Sequence, residues 1–254
     1  MNDKTKKERW CIYLVELRNV SVSYDNGVEA LTHFSFKIND GELCFVTGKS
    51  GSGKSTFSKL ITGELKAAEG SVCVNGYDMG NLKSKALADA RRSMGMVFQD
   101  FRLIPSMTID ENLEFAMRCI NAPVSSIKPR IEEVLELVSM KGMGGRLPTE
   151  LSGGEQQRAA IARAIVNKPS LIIADEPTGN LDPTLAIDIM RLFLRINEMG
   201  TTALIITHAK ELVDMFPQRV ITIKKGKLVD DSFGKYKGSM QMPPQAPQKK
   251  GRHR

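Results

Sequence analysis

Gly48-Lys-Ser-Gly-Ser-Gly53-Lys54-Ser55 stands between an apolar run at residues 42–47 and a helix-forming stretch at residues 55–65. The run fits G-x-x-x-x-G-K-[ST], and its flanks give the pattern meaning: a strand before, a helix after, a glycine-rich turn between. Such a turn wraps inward. The amides of Gly48, Lys49, Ser50, Gly51, Ser52 and Gly53, with the helix start at Lys54, Ser55 and Thr56, then face an anion. Lys54 adds a point charge for the β- and γ-phosphates of ATP, and Ser55 is placed to ligate Mg2+.

Leu171-Ile-Ile-Ala-Asp175-Glu176 places two carboxylates at the end of another apolar strand, where open parallel sheets bind ligands. Adjacent acids there divide the work. Asp175 is read as holding the Mg2+ shell and Glu176 as polarising the attacking water, because hydrolysis needs a base within hydrogen-bond reach of that water.

The rest of the chain supplies a frame for these two strand ends. Near-alternate apolar residues over residues 13–24 and 34–38 read as half-buried strands, and residues 71–74 run into an Asn75-Gly76 turn. From about residue 86 to 166 the pattern is helical. Ile109, Leu113, Ala116, Met117 and Ile120 share one face, Ile131, Val134, Leu135 and Val138 another, and Thr108 with Glu111 fits a capping box. Residues 170–174 and 202–207 read as central parallel strands joined by a helix over residues 184–199, with Asp182 as its N-cap and Pro183 at its first position. Residues 219–229 read as a hairpin around Lys225-Gly226.

Composition narrows the class. Of 254 residues, 41% are hydrophobic, enough for a sizeable core. No window approaches about 18 consecutive apolar residues and the charged start carries no apolar run, so neither a spanning helix nor a signal peptide is expected, and the chain is expected in the cytoplasm. Cys11, Cys44, Cys73 and Cys119 are far apart, with no C-x-x-C pair, and read as reduced small hydrophobes. The net charge of +7 sits at the ends: residues 235–254 carry six Lys or Arg and no acid. The near-neutral body gives no phosphate-tracking face, so nucleic acid is not expected as a partner.

Leu151-Ser-Gly-Gly-Glu155-Gln-Gln157, lying between the two nucleotide motifs, resembles the signature of the ATP-binding cassette (ABC) ATPases, and the resemblance extends over roughly residues 12–230. It implies an α/β P-loop NTPase of the ABC type: a mixed central sheet, an N-terminal antiparallel β-subdomain and an inserted α-helical subdomain. Further residues match in family order. Tyr24 resembles the aromatic that stacks on adenine, Gln99 the loop glutamine near metal and water, and His208 the switch histidine on the γ-phosphate. Gly179-Asn-Leu-Asp182 resembles the dimer-contact loop. Ser152, Gly153 and Gly154 open a helix and can bind a γ-phosphate; in this family they bind the one held by the opposite subunit. The resemblance thus implies a head-to-tail homodimer with ATP and Mg2+ sandwiched between the chains, and a separate integral membrane permease through which the ATPase attaches to the cytoplasmic face of a bacterial plasma membrane.

Phe98-Gln-Asp-Phe-Arg-Leu-Ile-Pro105, Ala164-Ile-Val-Asn-Lys-Pro169 and Pro177-Thr-Gly-Asn-Leu-Asp182 are similar to the cell-division branch of the family, whose permease is FtsX. Lipoprotein-release and macrolide-efflux ATPases are the near alternative. Two departures stand out: Lys49 replaces a more usual small residue, Pro or His, and both ends are long. The expected organisation is a charged extension at 1–11, the ATPase domain at 12–231 with helices at about 86–166, and a basic, disordered tail at 232–254.

Overall fold

A computed structural model describes residues 11–233. Its backbone is a six-stranded sheet. Strands β3 (Leu43–Thr47), β6 (Met94–Phe98), β7 (Leu171–Asp175), β8 (Thr202–Ile206), β9 (Arg219–Lys224) and β10 (Lys227–Phe233) lie in the order β10-β9-β3-β8-β7-β6. β3 is parallel to β8 and β9, β7 is parallel to β8 and β6, and only β10 returns antiparallel.

The three central strands are apolar at nearly every position because both faces are covered. Phe45, Ile172, Ala174, Ala203 and Ile205 point to one core, Cys44, Val46, Leu171, Ile173, Leu204 and Ile206 to the other. On the first face lie α3 (Ile109–Arg118), α4 (Val124–Leu137), α5 (Gly153–Ile165) and α6 (Pro183–Glu198). On the second lies α1 (Lys54–Ile61), backed by an antiparallel sheet of β1 (Val15–Ser23), β2 (Glu29–Ile38), β4 (Glu69–Val74) and β5 (Tyr77–Asp78), ordered β2-β1-β4-β5. Phe57 of α1 is the wedge between the layers, meeting Phe34 and Phe36 edge-on at ring separations of 5.7 and 5.4 Å. The α/β class and its antiparallel annex are as the sequence implied.

Local signals set several boundaries. Thr108 caps α3 in a reciprocal capping box with Glu111, and Asp182 caps α6 through both Thr184 and Leu185 amides. Helix α1 stops at Ile61, short of residue 65, because the amides of Glu64 and Leu65 both turn back to the Lys59 carbonyl. Three further readings are corrected. β6 interrupts the region expected to be helical from about residue 86, after α2 (Ser84–Arg92); pairing with β7 makes Met-Gly-Met-Val-Phe a strand, and a Cβ on Gly95 would lie 2.5 Å from the Ala164 carbonyl of α5. β10 runs on to Phe233, past the point where the tail was expected to begin. Cys11 and Cys73 are disulfide-bonded, with Cα atoms 6.0 Å apart, whereas Cys44 and Cys119 are free thiols. Sequence spacing hid that pair: antiparallel pairing of β1 with β4 brings together residues 62 positions apart. The expected tail from residue 234 onward and the N-terminal extension before residue 11 lie outside the described residues. No helix among the described residues is long and apolar enough to cross a membrane.

Candidate active site

Parallel register collects the chemistry on one edge. Phe98 pairs with Asp175, Asp175 with Ile206, and Val46 with Ile206, so four strands end in a row. The next residues out are Gln99, Glu176, Thr207 with His208, and Thr47 with Gly48. The Glu176 amide donates to the Ile206 carbonyl and the Thr207 amide to the Val46 carbonyl, at 2.9 and 3.0 Å, which extends the ladder one residue beyond each strand.

The loop between β3 and α1 curls as the motif requires. Gly48 and Gly53 have φ of 156° and 112°, and a Cβ on Gly48 would collide with the Ile223 carbonyl and the Ser52 hydroxyl. The β9–β10 tip braces the loop: the Gly226 amide donates to the Ser52 carbonyl at 2.9 Å, while its carbonyl accepts from Thr32 at 3.0 Å. Lys54 Nζ folds back over the loop, donating to the carbonyls of Gly48 at 2.7 Å and Lys49 at 3.2 Å. Ser50 and Gly51 are exposed on the loop, and Ser55 is exposed on the first turn of α1. Buried in it, the Ser52 hydroxyl has no protein partner. The Tyr24 hydroxyl is hydrogen-bonded to Thr56 Oγ1 at 3.0 Å, which holds its half-exposed ring beside the helix start.

Glu176 has a φ of 49° and turns toward β8. Its Oε1 lies 2.9 Å from His208 Nδ1, and its Oε2 accepts from the His208 amide at 3.3 Å. The adjacent Asp175 carboxyl is pushed above its ordinary range, chiefly by burial and then by Glu176, with Lys54 and Arg102 opposing. A half-buried acid raised in this way is a site short of positive charge. Ser55, Asp175 and Gln99 offer only oxygen or amide donors, which suits a hard divalent cation completed by phosphate oxygens and water. The donor set therefore fits Mg2+ with a nucleotide.

Gln99 and Asn180 bond each other reciprocally: Gln99 Nε2 donates to Asn180 Oδ1 at 3.2 Å, and Asn180 Nδ2 to the Gln99 carbonyl at 3.1 Å. Two expected site groups are engaged at their own helix starts. Ser152 closes a capping box with Glu155 at the start of α5, where Gly153 and Gly154 follow, and Asp182 Oδ1 is occupied by the cap of α6. Sequence reading also passed over Arg163, whose only signal was a charge inside the buried run of Ala159 to Ile165.

A glycine-wrapped loop after one parallel strand and a carboxylate pair after its second neighbour, facing a common edge, define the P-loop ATPases. Within that class the chain belongs to the ABC transporter ATP-binding family, whose model matches residues 31–179. It is 46% identical over 224 residues to the cell division ATP-binding protein FtsE of Bacillus subtilis (strain 168), covering 88% of this chain and 98% of that protein. It is 47% identical over 224 residues to FtsE of Streptococcus pneumoniae serotype 2 (strain D39 / NCTC 7466), covering 88% and 97%. Among solved structures, the dimeric post-hydrolysis state of the ATP-binding cassette MJ0796 bound to ADP and Pi is similar, with a TM-score of 0.76 at 34% identity, covering 86% of this chain and 98% of that one.

Proposed function

We propose that this chain is the Mg2+-dependent ATPase subunit of an FtsE–FtsX type complex, coupling ATP-driven closure of a homodimer to a membrane permease that controls cell-wall hydrolysis in division. The observation that carries the ATPase reading is the row of strand ends, with Glu176 locked to His208 at 2.9 Å beside the phosphate loop. The cell-division reading is supported by identity of 46% across nearly the whole of a relative of that name.

The loop amides of residues 48–56 and Lys54 bind the phosphates, and Tyr24 stacks on adenine. Ser55, Asp175 and Gln99 would hold Mg2+, which would supply neutralising charge to the phosphate oxygens. Glu176 accepts the proton of the attacking water; His208 fixes its carboxylate and faces the γ-phosphate. Ser152, Gly153 and Gly154 serve the nucleotide of a second copy, and the loop ending at Asp182 makes the dimer contact, so the pair is head-to-tail. Residues 12–231 form this cassette, peripheral on the cytoplasmic face of the plasma membrane and held there by the permease.

The test is Glu176→Gln, which keeps the shape and the ATP contacts while removing the base. Hydrolysis should fall by about a hundredfold or more with ATP binding retained. Purified from native membranes with ATP and Mg2+, the trapped variant should retain an FtsX-like permease with a large external domain. Retention of a lipoprotein- or drug-export permease would move the chain to the transport branch and leave the ATPase reading standing. Hydrolysis at the normal rate would remove Glu176 as the base.

A further inference from the structure

The segment between β6 and α3 begins with Gln99 and is gripped from two sides. On one side Asn112 of α3, fully buried, accepts from the Ile104 amide at 2.8 Å and donates to the carbonyls of Ile104, Met107 and Thr108. Opposite it, Arg163 reaches out of α5: Nη2 donates to the Phe101 carbonyl at 3.0 Å and Nη1 to the Arg102 carbonyl. Those two carbonyls belong to consecutive left-handed residues, Phe101 at φ 58° and Arg102 at φ 49°. Side chains other than glycine rarely adopt that conformation, and two in succession persist only where the surroundings impose it.

A guanidinium suits this task because its donors are fixed in one plane and can hold two neighbouring carbonyls at once. Burial, and then Arg102, press the Arg163 charge toward neutrality. Asp100 opposes that pressure, and the guanidinium's donors go to the two carbonyls. Arg163 sits on the helix that begins at Ser152, and the Phe101 ring reaches back to that beginning: a Cβ on Gly153 would lie 3.9 Å from Phe101 Cζ. Phe101 is therefore held at its carbonyl by a side chain rooted near the C-terminal end of α5 and meets the N-terminal end with its ring. Two residues earlier stands Gln99, itself tied to Asn180.

We propose that Arg163 is a positioning residue for ATP hydrolysis: by clamping the Phe101 and Arg102 carbonyls it sets Gln99 at the metal and joins it to the start of α5 as one moving body. This rests on the reading of Gln99 as a ligand of metal and water. Without the clamp, the turn relaxes out of its left-handed form and Gln99 loses its place, while the phosphate loop is untouched.

The experiment is a double-mutant cycle on the full chain with Mg2+, reading single-turnover hydrolysis per nucleotide-bound molecule and affinity for a fluorescent ATP analogue. Arg163→Lys keeps the charge but not the fork, and should slow hydrolysis by about tenfold or more with affinity changed less than about twofold. Gln99→Ala should slow it comparably, and the double variant should be no slower than the slower single, since both remove one interaction. Arg102→Gly, which makes the left-handed turn easy, should restore part of the rate to Arg163→Lys. If Gln99→Ala retains the normal rate, the reading of Gln99 fails and the coupling with it. If both singles are slow but their losses multiply, or Arg163→Lys loses affinity in step with rate, the positioning role of Arg163 alone is overturned. Arg163→Gln serves the same cycle should the lysine variant not fold.

Discussion

Lys54 and Asp175 each lie within a contiguous motif. The ammonium lies over the Gly48 and Lys49 carbonyls, where phosphate oxygens are expected to replace them. Lys54→Ala should keep the fold and weaken ATP binding by about a hundredfold, as equilibrium titration with a labelled nucleotide would show. For Asp175 the sign follows from a pKa raised in the folded chain. Above that raised value the nucleotide-free fold carries a half-buried charge that Lys54 and Arg102 only partly offset, and the penalty is relieved as pH falls toward the unfolded value. Under the proposed function Mg2+ would compete with the same proton, so its affinity in the presence of ATP should weaken on acidification sooner than an ordinary carboxylate would allow. Asp175→Asn should raise the melting midpoint of the nucleotide-free chain and abolish its further rise with Mg2+ and ATP. These residues were legible because each motif is contiguous. Pairings such as Glu176 with His208, 32 positions apart, and Gln99 with Asn180, 81 apart, are made by strand register, which no local pattern displays.

Elements were legible where one signal settled both type and boundary. Asp182 and Pro183 fixed the start of α6, and Thr108 with Glu111 that of α3. β6 was missed because five apolar residues beside a helix carry no period of their own, and its partner β7 lies far along the chain. Asn112 was missed in the same way: on the helical pattern it is a polar residue on a face, yet it holds the connection from β6 to α3 through four hydrogen bonds. Asn112→Ala leaves those buried backbone groups without their partner, and should destabilise the chain by about 3 kcal/mol. Urea unfolding should show a lower midpoint at unchanged slope. A shift within error would mean that water replaces the amide.

At the scale of the whole molecule, the proposed function divides the ATP site between two chains. The phosphate loop, Asp175 and Glu176 share an edge of the sheet, whereas Ser152 is engaged with Glu155 in closing its own helix start, where Gly153 and Gly154 follow. The proposed function requires a second copy to bring them together, and the most direct measurement of that claim mixes two inactive chains. Lys54→Ala and Ser152→Glu are each expected to hydrolyse ATP negligibly. If Ser152 acts across the interface, a mixed dimer has one site with both residues intact, and an equal mixture should regain about a quarter of the normal rate. If Ser152 served the nucleotide of its own chain, every site in the mixture would lack one residue, and a mixture as inactive as its components would contradict the account.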